Sequence, residues 1–132
     1  MSKKLKIYIA GKVSGLTPEQ FHKNFDECAE WIRRNVSFGE DFEVINPTTM
    51  CEDNWPWLKC METCIPELRK SDFLFLMPGW KESKGAVCEY FVAVERGIEV
   101  EYLEDDGVDV DGKAKYRIKG PELDTKIKCM SE

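Results

Sequence analysis

Residues 71–97 read SDFLFLMPGWKESKGAVCEYFVAVERG. Phe73-Leu74-Phe75-Leu76-Met77 is a short, unbroken apolar run, the pattern of a strand buried on both faces. Pro78-Gly79 stops it and a polar loop follows. A helical pattern then begins near Ser83, whose hydroxyl suits an N-cap. The helix is expected to end at Arg96, with Gly97 in the cap position and Val87, Phe91 and Val94 on the core side. A strand leading into a helix is half of a βαβ unit, so the stretch predicts a parallel sheet. It also puts Glu89 about two turns into the helix, beside the carboxyl end of a strand, where open α/β sheets bind their ligands.

The same alternation extends in both directions. Lys4–Ala10 alternates Leu5, Ile7 and Ile9 and forms a first strand, followed by a Gly11–Gly15 loop that permits close backbone approach. Thr17-Pro18-Glu19-Gln20 is a capping box with proline in the first turn. Phe21, Phe25, Cys28, Ala29 and Ile32 then recur at helical spacing. Phe42–Ile45 is a second strand stopped by Asn46-Pro47, and residues 48–56 are loop-like. A helix from about Leu58 to Lys70 turns Met61, Ile65 and Leu68 inward, with Pro66 a possible irregularity. Ile98–Leu103 is a fourth strand. Beyond Glu104, Asp111-Gly112 marks a small hairpin between Gly107–Val110 and Ala114–Ile118, before a polar tail over residues 121–132. The expected architecture is one α/β domain over residues 1–132. Its core, residues 4–103, is a three-layer sandwich with a mainly parallel four- to five-stranded sheet of the flavodoxin or Rossmann type; the hairpin and tail occupy 104–132.

Composition narrows the function. The 132 residues are 42% hydrophobic and 33% charged, as in an ordinary globular protein. No apolar run is long enough to span a bilayer, and MSKKLK leads into a strand rather than a signal segment, so a cytoplasmic protein without membrane contacts is expected. The net charge of −6 argues against tracking a polymeric nucleic acid. A single nucleotide is still allowed, because a helix N-terminus can hold one phosphate. The six cysteines are Cys28, Cys51, Cys60, Cys64, Cys88 and Cys129. They are expected to be reduced in such a chain, with Cys28 and Cys88 packed as small apolar residues. Cys60 and Cys64 share a helix face with Cys51 and Asp53 upstream, but the paired CxxC spacing of a zinc site is absent, so no metal and no cofactor are expected. His22 reads as a solvated imidazole.

An arbitrary helical glutamate is a solvated charge. Three features lift Glu89 above that: the Pro-Gly break, the small Gly85-Ala86 pair leaving room for a ligand, and the position facing the strand ends. Ser83 caps the helix, and its hydroxyl with the following N–H groups would also make an anion pocket. Tyr8 is a core residue by default, yet it stands just before the Gly11 loop, where its phenol can reach the cleft. Asp72 reads as a capping residue. Trp55, Trp57 and Trp80 lie in loop-like segments and suit either an aromatic wall for a base or contacts between subunits.

Together, IYIAG in the first strand, VINP at the second, and residues 71–100 with Ser83-x-Gly85-Ala86-x-x-Glu89 resemble the nucleoside 2-deoxyribosyltransferase superfamily. The closer likeness is to a small bacterial and phage branch known as a domain of unknown function. The resemblance spans roughly Lys4 to Leu103. It implies that Glu89 is a nucleophile attacking C1′ of a deoxyribosyl group and that Tyr8 orients it. It implies a phosphate contact for Ser83, and hence a nucleoside 5′-monophosphate as substrate in preference to a free nucleoside. Gly11, Cys64, Gly85, Ala86 and Trp80 would complete the binding site, with sites finished near a subunit interface in a homodimer or larger homo-oligomer. The superfamily carries an aspartate near the leaving base, and by spacing that position falls at Cys64. A thiol, with an unperturbed pKa of about 8.5, does not replace a carboxylic acid there. That leaves Asp53, Glu82 or water to protonate the base. A non-catalytic nucleotide-binding module using the same cleft is the rival expectation.

Overall fold

The computed structural model describes residues 4–119; the tail at 121–132, with Cys129, lies outside them. Five strands form one sheet in the order β2-β1-β3-β4-β5. They are β1 (Leu5–Ala10), β2 (Phe42–Ile45), β3 (Phe73–Leu76), β4 (Glu99–Val108) and β5 (Ala114–Lys119). The first four are mutually parallel and β5 runs antiparallel to β4. Helices α1 (Pro18–Asn35), α2 (Trp57–Arg69) and α3 (Lys84–Arg96) make the crossovers. The strand order reverses at β1: the chain leaves β1 to form β2 on one side and returns to form β3 on the other. The crevice beyond the carboxyl ends of β1 and β3 is therefore the switch point of the sheet.

Alternation along the strands separates two cores. Ile7, Ile9, Phe75 and Met77 face α1 and pack with its buried Phe25, Cys28, Ala29 and Ile32. Tyr8, Ala10, Leu74 and Leu76 face the other way, against Cys64 and Leu68 of α2 and Ala86, Tyr90 and Ala93 of α3. Burying each large aliphatic side chain contributes about 1.5–3 kcal/mol, which fixes strand register on both faces. The capping box at α1 forms as the sequence predicts: Gln20 N–H donates to Thr17 Oγ1 and Thr17 N–H to Gln20 Oε1. Gly97 ends α3 at φ 74°, a left-handed conformation that favours glycine. α2 continues through Pro66.

Three expectations need correction. The C-terminal hairpin is no appendage, because β4 runs on to Val108 and β5 joins the main sheet as its edge. Tyr116 anchors it against Trp31 of α1, and Glu27 Oε1 accepts from the Ala114 N–H. The core side of α3 is rotated from the expected one. Ala86, Glu89, Tyr90 and Ala93, at i, i+3, i+4 and i+7, are buried, whereas Phe91 is 54% and Val94 50% exposed. Small alanines let the helix sit close to the sheet, so Phe91 and Val94 end up outside while Val87 keeps a partly buried contact with the core. Finally, Cys51 and Cys60 form a disulfide rather than standing as free thiols, because the loop after β2 folds back over the first turn of α2.

Candidate functional site

A pocket of about 270 Å³ opens at the switch point, close to the smaller end of small-molecule sites. Its walls come from the Gly11 loop, the start of α1, the segment after β2, the first two turns of α2 and the N-terminal half of α3. Phe21, Phe25, Trp55, Trp57 and Met61 make much of the lining apolar and aromatic, while Ser83 and Glu89 contribute convergent polar groups. Such a mixture holds an organic ligand by its flat faces and orients it by a few polar contacts.

Glu89 is 6% exposed and its carboxylate is joined to Tyr8, whose phenol donates to Glu89 Oε2. The bond crosses from β1 to α3, over 81 positions of sequence. Tyr8 is fully buried between β2 and β3, so its ring has no freedom to carry the hydroxyl elsewhere. Burial pushes the Glu89 carboxyl up from an ordinary 4.5 to about 7, while the Tyr8 hydrogen bond favours the carboxylate and pulls the other way. The Tyr8 phenol is itself raised well above its usual range by burial and by the neighbouring carboxylate. The result is a nearly dry carboxyl group that exchanges its proton near neutral pH. A poorly solvated carboxylate of that kind can act as a nucleophile or stabilise a developing cation.

Cys64 adjoins the same pair from α2. Burial pushes its thiol up to about 11, although the neighbouring Tyr8 phenol pulls the other way. It therefore stays a thiol at neutral pH and is a weak proton donor. Ser83 occupies the α3 N-cap, where its Oγ accepts from the Ala86 N–H at 3.2 Å. The next N–H groups, of Lys84 and Gly85, belong to the turn that has no intrahelical acceptor. Gly85 and Ala86 line the pocket, but part of the space beside Gly85 is taken by α2. A Cβ on Gly85 would lie 3.4 Å from Trp57 Nε1 and 3.5 Å from Met61 Sδ. Gly11 is needed for a different close approach, since a Cβ there would stand 2.8 Å from Met77 Sδ.

Of the residues singled out in the sequence, Gly11, Cys64, Ser83, Gly85, Ala86 and Glu89 line the pocket and Tyr8 lies directly behind it. Trp80 does not line it. The residue belongs to a short 3₁₀ turn that tucks its ring under α3, against Tyr90 and Tyr102. Trp55 and Trp57 supply the aromatic wall instead, held by Lys59 over one ring at 4.1 Å and Lys84 over the other at 4.0 Å. Glu82 is outside the pocket and pairs with Lys12, whereas Asp53 lines it. His22 is not a lone solvated ring: its Nε2 lies 2.8 Å from Asp53 Oδ1. Only the adjacency of His22 on α1 to a loop 31 positions later reveals this pair, and no periodicity carries that. Asp72 accepts from the Lys6 N–H and ties the entry of β3 to β1.

No helix among the described residues is long and apolar enough to cross a membrane. No curated protein matches the chain. Among solved structures it is similar to a 2-desoxiribosyltransferase from Leishmania mexicana, at 17% identity and a TM-score of 0.56, over 88% of this chain and 79% of that one. At that identity the likeness establishes the fold, a three-helix α/β arrangement on a mostly parallel sheet. The profile of a family described as Domain of unknown function (DUF4406) matches residues 5–102. With most of its length inside that profile, the chain belongs to this family of unknown function, built on the fold of a deoxyribosyltransferase.

Proposed function

We propose that the protein cleaves the N-glycosidic bond of a nucleoside or deoxynucleoside 5′-monophosphate, with Glu89 as nucleophile. The observation that carries this reading is the buried Tyr8–Glu89 pair at the back of an aromatic-walled pocket. Breaking an N-glycosidic bond builds positive charge at C1′ and on the ring oxygen. An adjacent carboxylate stabilises that charge and traps it as a glycosyl ester, as in retaining glycosidases. Tyr8 holds one carboxylate oxygen, leaving the other to attack. The base stacks on Trp55 or Trp57. Ser83 Oγ accepts from Ala86 through a lone pair, so its O–H can donate to the phosphate, joined by the free N–H groups at the start of α3. Asp53 lines the pocket wall with His22 as its hydrogen-bond partner, and this pair is placed to pass a proton to the departing base. Water then hydrolyses the ester, or a second base intercepts it. We place this activity in the cytoplasm and in a homo-oligomer; the exposed Phe91 and Val94, which share one face of α3, support the oligomer.

The test is incubation with a panel of deoxynucleoside monophosphates and chromatographic detection of free base. Release that disappears in Glu89→Gln supports the assignment. No release, or release indifferent to that substitution, overturns it. A second reading, a nucleotide-binding module without turnover, is favoured by one observation: Cys64, at the position where the superfamily has an acid, is a thiol held protonated. It predicts thermal stabilisation by a nucleoside monophosphate with no product, retained in Glu89→Gln.

A further inference from the structure

Three sulfurs converge in the pocket wall. Cys60 and Cys64 are one turn apart on α2, and Cys51 reaches them from the loop after β2. Cys51 and Cys60 are joined, and Cys51 Sγ also lies 3.6 Å from Cys64 Sγ. All three sulfurs are within 4.8 Å of one another. A disulfide needs only two. The third is 3% exposed, stands against the bridge, and lines the same pocket as the other two.

The triangle has the dimensions of a thiolate metal site. A tetrahedral zinc ion with Zn–S of about 2.3 Å separates its sulfurs by about 3.8 Å. The Cys51–Cys64 distance is already near that value, and opening the bridge frees Cys60 to adopt it. Cys60 and Cys64, at i and i+4, present both sulfurs on one side of a helix, so two of the three ligands come from one rigid element. Sulfur ligands select a thiophilic cation over magnesium or calcium.

We propose that, once the Cys51–Cys60 disulfide is reduced, Cys51, Cys60 and Cys64 form a three-thiolate site for a divalent cation of the zinc class. A dithiol reductant supplies two electrons and two protons to the bridge and is itself oxidised to a disulfide. The cation then displaces one proton from each of the three thiols to solvent, leaving a site of net charge −1. Because all three cysteines line the pocket, the fourth coordination position is open to water or to a pocket ligand. In this site the loop carrying Cys51 is fastened to α2 in both redox states, by a covalent bond in one and by the cation in the other.

The experiment uses the full chain, reduced without oxygen by a phosphine, exposed to Zn²⁺ or Co²⁺ and then desalted. The expected result is one equivalent of metal per chain. The cobalt form should show sulfur-to-metal charge transfer in the near ultraviolet and the intense visible bands of tetrahedral cobalt. Metal should protect Cys51, Cys60 and Cys64, and not Cys88, from alkylation mapped by peptide mass spectrometry. That measurement on the wild-type chain holds even where a Cys64→Ser variant fails to fold. Where the variants fold, Cys51→Ser, Cys60→Ser and Cys64→Ser should each lose most of the bound metal and Cys88→Ser should keep it. A folded, fully reduced chain that retains less than about a tenth of an equivalent overturns the proposal. So does a bridge that resists reduction in the folded chain, or full binding in folded Cys64→Ser. None of these readouts involves nucleotide turnover, so they stand or fall apart from the glycosidase reading.

Discussion

Ile7 and Ile9 leave β1 toward α1, while Tyr8 and Ala10 leave it toward α2 and α3, and the two faces so produced have little in common. The α1 face is filled by aliphatic and aromatic side chains, with Cys28 as a small apolar filler. The opposite face places a hydrogen-bonded carboxyl and phenol inside the core, with a buried thiol in the same cluster. Apolar packing needs no partner, whereas each buried polar group must be matched with another or pay for its lost hydration. One face therefore gives stability outright, and the other gives up some of it to hold a dry carboxyl group at the mouth of the sheet. That division can be broken from either side.

The largest expected effect is on the reactive face. Replacing Glu89 with Gln removes the nucleophile while keeping size and a hydrogen-bonding partner for Tyr8, and base release should fall by roughly 10³-fold or more. Stability should move the other way. At pH 8 the wild-type chain must hold an ionised carboxylate in a buried place and the amide need not, so thermal denaturation of the variant should shift up by a few °C. An activity loss accompanied by equal destabilisation would mean that Glu89 is an ordinary structural residue.

On the α1 face the opposite pattern is expected. Ile32 is fully buried and lies outside the pocket lining. Ile32→Ala should cost about 2–5 kcal/mol in denaturant unfolding, through lost transfer energy and the cavity left behind. Nucleotide turnover by the remaining folded protein should be close to unchanged.

A pH titration compares the faces without any substitution. Because the Glu89 carboxyl is raised from 4.5 to about 7 in the folded chain, the folded state keeps a proton that the unfolded chain has already released. Between those values it binds more protons, so its contribution to stability is complete below about pH 4.5 and is lost as pH rises through about 7. The loss is on the order of 3 kcal/mol. Base release, which needs the carboxylate, should climb through the same window. In Tyr8→Phe the bond that favours the carboxylate is gone, so the rising limb should move to higher pH. In Glu89→Gln the stability slope should vanish, and its persistence there would assign it to other groups.

The sheet was legible because its signals are local: the apolar run at Phe73–Leu76, the cap at Ser83 and the stop at Gly97 each act within a few residues. Ser83 and Glu89 were legible as positions on that helix, and Tyr8 as the last large side chain on its own face of β1 before the Gly11 loop. What failed needed distance. Trp80 looks like a loop residue by composition, yet the 3₁₀ turn carries it under α3 to Tyr90 and Tyr102. Of the row Val87, Phe91 and Val94 only Val87 keeps contact with the core, because close packing against the sheet selected the alanines. The cysteine cluster and the His22–Asp53 pair depend on how the loop after β2 folds back, which no periodicity encodes.

Gly11 joins the faces, since it lines the pocket while its missing Cβ makes room for Met77, a side chain of the α1 core. In Gly11→Ala the new methyl group would meet the sulfur at 2.8 Å and the Met77 Cβ at 3.0 Å. The sulfur end can swing aside but the Cβ cannot, so a cost of about 1–3 kcal/mol is expected. Measured in a Met77→Gly background, which removes that Cβ, the same substitution should cost less; equal costs in both backgrounds would detach Gly11 from the α1 core.

The smallest expected effect separates two roles of one hydroxyl. Ser83→Ala removes the cap on α3 and should lower stability by about 1 kcal/mol. If the hydroxyl only caps, the variant should treat a nucleoside and its 5′-monophosphate alike. If it also donates to phosphate, KM for the monophosphate should rise several-fold while that for the nucleoside stays level. Ser83→Thr keeps both an acceptor for the Ala86 N–H and a donor for phosphate, so it should restore stability and selectivity together. Recovery of stability without recovery of selectivity would place the phosphate elsewhere on the pocket wall.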